Sequence, residues 1–410
     1  MRNETYMPGE VALDRPLLTL LFLLRNRGIL FSQHKQFRRK DMKKKQIIGL
    51  AVQAGGALGA YEVGVIKALY KHYPNFQSNL RVVAGASSGA LNAAVLVGAR
   101  RDPVQTLEQL WLEHLAIMNI PLVPESLQPL LISLTGVPGM AYIRPSFLMN
   151  PLMAPSIADP TPMRQTLIDL ADEDRIEHSP IHLIVTATDV ETGQLTRFEN
   201  HIPNEPFTFE MVAASGSIAP VFPMTSVTEQ ITGKEGRYWD GGFVASLPLS
   251  PVINFLERCE GGDPDVERVA IAVEVNPRRS RVPRNMLEIV NRFSQLITAS
   301  KLKLDQKMFD KMDSHIELFH LLDQHLTDED RKKILRDPKL SKAYEDLKSH
   351  RKIHCIVIEM TRPESLTGPS NFSKAAIEDR IECGYEDAYK KLVDEGIITD
   401  VREYAIPASA

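Results

Sequence analysis

A serine with glycine two residues to either side, Gly85-Ala86-Ser87-Ser88-Gly89, stands where the apolar run Val82-Val83-Ala84 gives way to an alanine-rich segment. A chain that turns directly from strand to helix must bend sharply. The residue at the bend takes an unfavourable backbone conformation, and bulky neighbours would collide; Gly85 and Gly89 relieve that crowding. The Ser87 hydroxyl then projects at the carboxyl end of a strand, where α/β sheets bind ligands. It also sits at a helix N-terminus, where free N–H groups and the dipole favour negative charge. These are the needs of a serine that attacks a carbonyl. For the five-residue pattern alone, a tight turn that happens to contain serine is the plainer reading.

Such a serine requires donors for the developing oxyanion. Upstream, Ile47-Ile48-Gly49-Leu50-Ala51-Val52 runs into Gln53-Ala54-Gly55-Gly56-Ala57-Leu58-Gly59. A glycine-rich strand-to-helix turn exposes the backbone N–H groups an alkoxide wants. The competing reading is a dinucleotide-binding turn. It lacks its first glycine, replaced by Ala54, and the second strand ends in Gly85 where a ribose-binding acid belongs. The serine also requires a base. None of the eleven histidines stands in an evident catalytic turn; His315 and His320, for example, fall in a stretch of helical period. Tyr238-Trp239-Asp240-Gly241-Gly242 offers a carboxylate instead. Asp-Gly is often only a hairpin turn, but a double glycine beside an acid also admits close approach of another loop.

The scaffold follows from hydrophobic pattern. The apolar runs 47–52, 80–84, 181–188, 269–275 and 353–358 read as buried strands. Helices are expected at about 60–73, 89–97 and 375–392. Strand, helix, strand, helix implies an α/β domain around a central, largely parallel sheet sandwiched by helices. The late strand and its helix place the C-terminal part in that same domain, 47–395, followed by a tail, 396–410. Two stretches look inserted. Residues 119–163 are proline-rich and apolar, too irregular for long elements. In 286–350, ahead of the last strand, Met286, Ile289, Val290, Phe293, Leu296 and Ile297 recur at helical spacing, so a helical insertion is expected there, packed on the core, with a mobile lid as the alternative.

Length and composition bound the rest. A chain of 410 residues, 43% apolar and 24% charged with net charge −4, is a globular protein with no general attraction to nucleic acid. Cys259, Cys355 and Cys383 are odd in number and widely spaced, which argues for thiols. No apolar run approaches the ~20 residues of a membrane span. Glu4, Glu10 and Asp14 stand where a secretory signal needs positive charge. The protein is therefore expected to be cytoplasmic or peripheral to a membrane, with export by a specialised route left open. Residues 1–46 look separate: an apolar patch at 17–24 precedes seven bases and one acid at 35–45. Such a run is commonly a solvated tail; beside the apolar patch it leaves peripheral membrane contact through residues 17–45 open.

Four segments, taken together and in order, resemble the patatin-like phospholipases and lipid acyl hydrolases. Residues 54–61 resemble the glycine-rich oxyanion loop, and Gly85-Ala86-Ser87-Ser88-Gly89 the nucleophile elbow. Residues 214–223 are similar to the segment before the acid, and Asp240-Gly241-Gly242 to the catalytic Asp-Gly-Gly. The likeness spans about 47–250 and continues more weakly through 353–360 and Gly384-Tyr385 to about 393. It implies a Ser-Asp dyad, with Ser87 as nucleophile and Asp240 as general base. Gly55, Gly56 and Ala57 would supply oxyanion N–H groups, and Gly59, Gly85, Gly89, Gly241 and Gly242 would shape the motifs. No metal or cofactor is implied. An acyl-enzyme would form on Ser87 and be released by water that Asp240 activates. An aspartate with pKa near ~3.9 is a poor base, so an apolar pocket that raises it is expected. The implied activity is hydrolysis of acyl esters of phospholipids or related lipids, of the phospholipase A or lysophospholipase type; acyl transfer on the same dyad and non-catalytic lipid binding are the alternatives. Two positions depart from the pattern. Ala54 replaces a glycine, and Leu58 stands where the family usually carries Arg or Lys, which would remove a cation close to the site.

Overall fold

The computed structural model describes residues 45–117, 136–229, 231–263, 265–276, 282–296 except 287, 290, 291, 294 and 295, 314–362 and 368–400. The apolar patch at 17–24 and the basic run up to residue 44 lie outside the described residues, as do Val290, Ile297 and residues 401–410. From Gln46 onward the chain forms one compact unit.

Its strands are β1 (Gln46–Val52), β2 (Leu80–Ala86), β3 (Gly136–Val137), β4 (Ala141–Ile143), β5 (Ala158–Asp159) and β6 (His182–Asp189), followed by β7 (Leu195–Glu199), β8 (Thr225–Thr228), β9 (Glu235–Asp240), β10 (Glu267–Glu274) and β11 (His354–Glu359). The large sheet is ordered β11-β10-β1-β2-β6-β9-β8, with β7 also paired to β6. From β11 to β6 every pairing is parallel. The antiparallel additions are β7, β8 and β9.

The parallel strands read as continuous apolar runs because both their faces are covered. Alternation along β1 divides its side chains between two cores. Ile48, Leu50 and Val52 enter the larger one, which also takes helices α1 (Gly59–His72) and α2 (Ser88–Gly98). Ile47 and Ala51 enter the smaller one beneath helix α3 (Leu249–Arg258). Helix α4 (Lys374–Asp394) returns the C-terminal part to the fold. It crosses α1 at a reciprocal pair of glycines. A Cβ on Gly64 would lie 1.9 Å from Ile381 O, and one on Gly384 would lie 2.0 Å from Tyr61 O. The late strand and late helix thus belong to the main sheet domain.

Ahead of the last strand stand the helices Asp328–Arg336 and Pro338–Ser349. The earlier part of the 286–350 stretch departs from expectation. Met286, Ile289, Phe293 and Leu296 are all exposed, so these side chains are not packed on the core. Periodicity marks an apolar face but does not say what covers it. In the proline-rich region, strands β3, β4 and β5 build a small antiparallel sheet. Among the described residues no helix is long and apolar enough to cross a membrane.

Candidate active site

Ser87 is the pivot between β2 and α2, at φ 53° and ψ −123°. This left-handed conformation costs a residue with a side chain of order 1–3 kcal/mol, so the surroundings must hold it. The flanking glycines make that packing possible. A Cβ on Gly85 would lie 2.3 Å from Gly89 O, and one on Gly89 would lie 2.6 Å from Val52 O. The Ser87 amide donates to Ser215 Oγ at 2.9 Å, and that hydroxyl donates to Thr186 O at 2.7 Å.

Asp240 ends β9, opposite Ala187 of β6. Its amide donates to Ser217 O at 2.9 Å, and its carbonyl accepts from Thr188 Oγ1 at 2.8 Å. Within the side chain, Oδ1 accepts from the Gly242 amide at 2.7 Å. Oδ2 is buried and finds no hydrogen-bond partner of good geometry, although the Ser87 hydroxyl stands close enough to the carboxylate to act on its titration. Burial pushes the carboxyl up to about 6, against the opposing pull of the neighbouring Ser87 hydroxyl and the Gly242 amide. A base of this strength, with one oxygen uncommitted beside a serine hydroxyl, is equipped to take that proton near neutral pH.

The glycine-rich turn lies over the same place and is fixed from several sides. Gln53 N donates to Glu62 Oε1 at 2.6 Å, and Ala54 N to Ser246 O at 2.8 Å. Asn276 Nδ2, at the end of β10, donates to Ala54 O at 2.7 Å. Glu62 is wholly buried; burial pushes it up to about 8 even though Asn92 and Gln53 N both donate to it. The acid's loop meets this turn as the double glycine allows, since a Cβ on Gly242 would lie 2.9 Å from Ala54 Cβ. Of the three expected oxyanion donors, Gly55 N already donates to Ser88 Oγ at 3.1 Å. Gly56 and Ala57 open a 3₁₀ turn, where N–H groups have no intrahelical acceptor. Gly56 lines the cavity described next; Ala57 is buried and does not.

Ser87, Asp240, Gly55, Gly56 and Gly242 all border one cavity of about 300 Å³. Its remaining wall is largely apolar, with Leu91, Trp111, Met163, Val212 and Phe372 among the lining residues. Trp111 and Phe372 stack at 6.4 Å between centroids and 3° between planes. Among the described residues no histidine borders the cavity.

Leu58 corrects an expectation. Its side chain is fully buried in the larger core and takes no part in the cavity wall. A guanidinium does reach the turn, from α4. Arg380, itself buried, donates through Nη1 to Ala57 O at 3.1 Å and Asn371 O at 2.7 Å, and through Nη2 to Gly368 O at 2.9 Å. Pro369, Ser370 and Phe372, which flank those acceptors, line the cavity. One side chain therefore ties the turn after Gly56 to the segment that closes the site. Neither Arg380 nor the latch on Ser215 was assigned a role from sequence.

The patatin-like phospholipase family model matches residues 50–253. No curated protein sequence matches the chain. Among solved structures, the crystal structure of VipD from Legionella pneumophila is similar at 15% identity and a TM-score of 0.36, covering 86% of this chain and 67% of that one. The type III effector protein ExoU is similar at 11% identity and a TM-score of 0.32, covering 86% of this chain and 54% of that one, so this chain spans about half the length of ExoU.

Proposed function

Residues 50–253 belong to the patatin-like phospholipase family, and on that premise we propose that the protein is a serine acyl hydrolase acting on acyl esters of phospholipids or related lipids through a Ser87–Asp240 dyad. The observation that carries this reading is the buried Asp240 carboxyl with Oδ2 uncommitted beside Ser87, in one apolar cavity. Ser87 Oγ attacks the ester carbonyl carbon while its proton passes to Asp240 Oδ2. The oxygen that becomes negative lies at the N–H groups of the 55–57 turn. Gly56 is the readiest donor; at Gly55 the oxyanion would have to displace Ser88 Oγ. Collapse breaks the ester C–O bond, and the alcohol leaves with the proton from Asp240. Water then gives a proton to Asp240 and attacks the acyl-serine, releasing the fatty acid and restoring Ser87. The apolar wall suits an acyl chain, which makes phospholipase A or lysophospholipase chemistry the finer form of the proposal.

The test is covalent labelling by a fluorophosphonate probe, with the adduct mapped by mass spectrometry. Labelling is expected on Ser87, and Ser87→Ala and Asp240→Asn should each lower ester turnover by more than roughly a thousandfold while circular dichroism is unchanged. A folded variant that keeps a tenth of the activity would overturn the dyad. A lipid panel with products identified by mass spectrometry then reads the substrate class.

A further inference from the structure

Strands β4 and β5 are joined by a projection with an unusual surface. Its side chains Leu148, Met149, Leu152 and Met153 are 65, 86, 92 and 81% exposed. Residues 145 to 158 contain no charged side chain. The charges stand at its foot, where Arg144 pairs with Asp159 at 3.1 Å. Tyr142, also exposed, stands on the neighbouring strand. Apolar tip, charged base and an adjacent tyrosine are the order of groups that a water–lipid boundary selects.

The backbone has the same character. Pro145, Pro151 and Pro155 carry no N–H. The amides of Phe147 and Leu148 donate to Arg144 O, that of Asn150 to Ser146 O, and those of Met153 and Ala154 to Asn150 O. Five amides of the tip are thus satisfied within it, on the carbonyls of Arg144, Ser146 and Asn150. Water-exposed loops have no need of this, but a segment entering hydrocarbon does.

The projection is continuous with the cavity rim. The Ile157 amide donates to Pro220 O at 3.2 Å and the Ala158 amide to Val221 O at 2.8 Å. Val221 is exposed and lines the cavity; the buried Phe222 and the half-buried Met140 line it too.

We propose that the 145–157 projection is a lipid-surface anchor, inserting Leu148, Met149, Leu152 and Met153 into a membrane and so setting the cavity mouth against it. The inference takes the lipid-hydrolase reading as its premise. Because the segment has no charge, its insertion depends on apolar contact. It holds on neutral lipid and persists as salt rises, unlike attraction through exposed bases.

The experiment uses the full chain and vesicles of phosphatidylcholine at low and high salt. The variant Leu148→Ser/Met149→Ser/Leu152→Ser/Met153→Ser should lose binding by about tenfold or more, with turnover of a soluble short-chain ester unchanged. Met149→Trp should give a blue-shifted indole emission that brominated lipid quenches; this readout stands even where the quadruple variant fails to fold. Wild-type vesicle binding by a folded quadruple variant, or an introduced indole that lipid does not quench, would overturn the anchor. So would binding confined to anionic vesicles and abolished by salt, or a solution dimer that the quadruple variant converts to monomer. Absence of fluorophosphonate labelling with vesicle binding intact would sink the hydrolase reading and leave the anchor standing.

Discussion

The backbone amide of Ser87 donates to the hydroxyl of Ser215 at 2.9 Å, across 128 residues of sequence. Two residues on, Ser217 O accepts the amide of Asp240. A three-residue stretch therefore grips both the proposed nucleophile and the proposed base by their main chains. Their main chains are thus referred to one short stretch, through the short Ser215 hydroxyl on one side and the Ser217 carbonyl on the other.

Ser215→Ala removes the acceptor that the strained elbow leans on. A buried N–H left without a partner costs about 1–3 kcal/mol, so the unfolding midpoint should fall accordingly. The elbow should also loosen, and a misplacement near 1 Å can cost about a hundredfold. Phosphonylation of Ser87 is expected to slow by between about ten- and a hundredfold in the folded variant. Labelling at the wild-type rate would mean that the strand and helix hold the elbow without the latch.

The pH dependence follows from the buried Asp240 carboxyl at about 6. As a base it must be ionised, so kcat/KM on a soluble ester should fall about tenfold per pH unit below that value and level off above it. Stability moves the other way. Between the ordinary aspartate value of 3.8 and about 6 the folded protein holds a proton that the unfolded chain releases, so stability falls as pH rises through that window. Asp240→Asn should therefore be inactive yet more stable above about pH 6, by as much as roughly 3 kcal/mol, with the gain vanishing as pH approaches 3.8. Denaturant melts at acid and neutral pH read this directly. Equal gains at both would remove Asp240 as the source.

The parts legible in sequence were those encoded locally. Strand β1, strand β2 and the elbow between Gly85 and Gly89 announce themselves through apolar runs and glycine spacing, and the structure places them as expected. Asp240 was singled out as the base through resemblance, because Asp-Gly-Gly alone reads as a turn. What escaped depends on contacts between distant residues: Ser215 on Ser87, and Arg380 on Ala57 across 323 positions. Leu58 was read only as the loss of a cation close to the site, because the family usually carries Arg or Lys there; side-chain direction within a 3₁₀ turn is a tertiary fact. The residues from Met286 to Leu296 show the converse error, since an apolar helical face is the same string of letters whether or not anything covers it.

Leu58→Arg offers a test of that reassignment. The side chain lies in the larger core, so the substitution places a guanidinium among apolar groups rather than beside a substrate. Loss of about 3 kcal/mol or more is expected, enough to unfold a marginal domain. Leu58→Met, similar in volume, should cost less than about 1.5 kcal/mol. In whatever fraction of Leu58→Arg folds, the ratio of phospholipid to neutral-ester hydrolysis should match wild type when rates are normalised by active-site titration. A changed ratio with undiminished stability would restore Leu58 to the site.

Arg380 should behave as a positioning residue. It lines no part of the cavity, but its fork of donors holds Ala57 O, Gly368 O and Asn371 O together, bracing the proposed oxyanion turn against the 369–372 wall. Arg380→Met removes every donor. Arg380→Lys keeps the charge but replaces the planar fork with a single ammonium, which cannot reproduce three fixed directions. Both variants should lower kcat on a soluble ester by about ten- to a hundredfold, with the lysine variant recovering part of the loss. KM should move far less, because in the proposed mechanism the turn acts on the oxyanion that forms after substrate is bound. A purely structural role predicts a different pattern: a lower melting temperature, fewer titratable sites and unchanged kcat per site. Kinetics normalised by phosphonate titration separate the two, and an unchanged kcat per titrated site would reduce Arg380 to a strut.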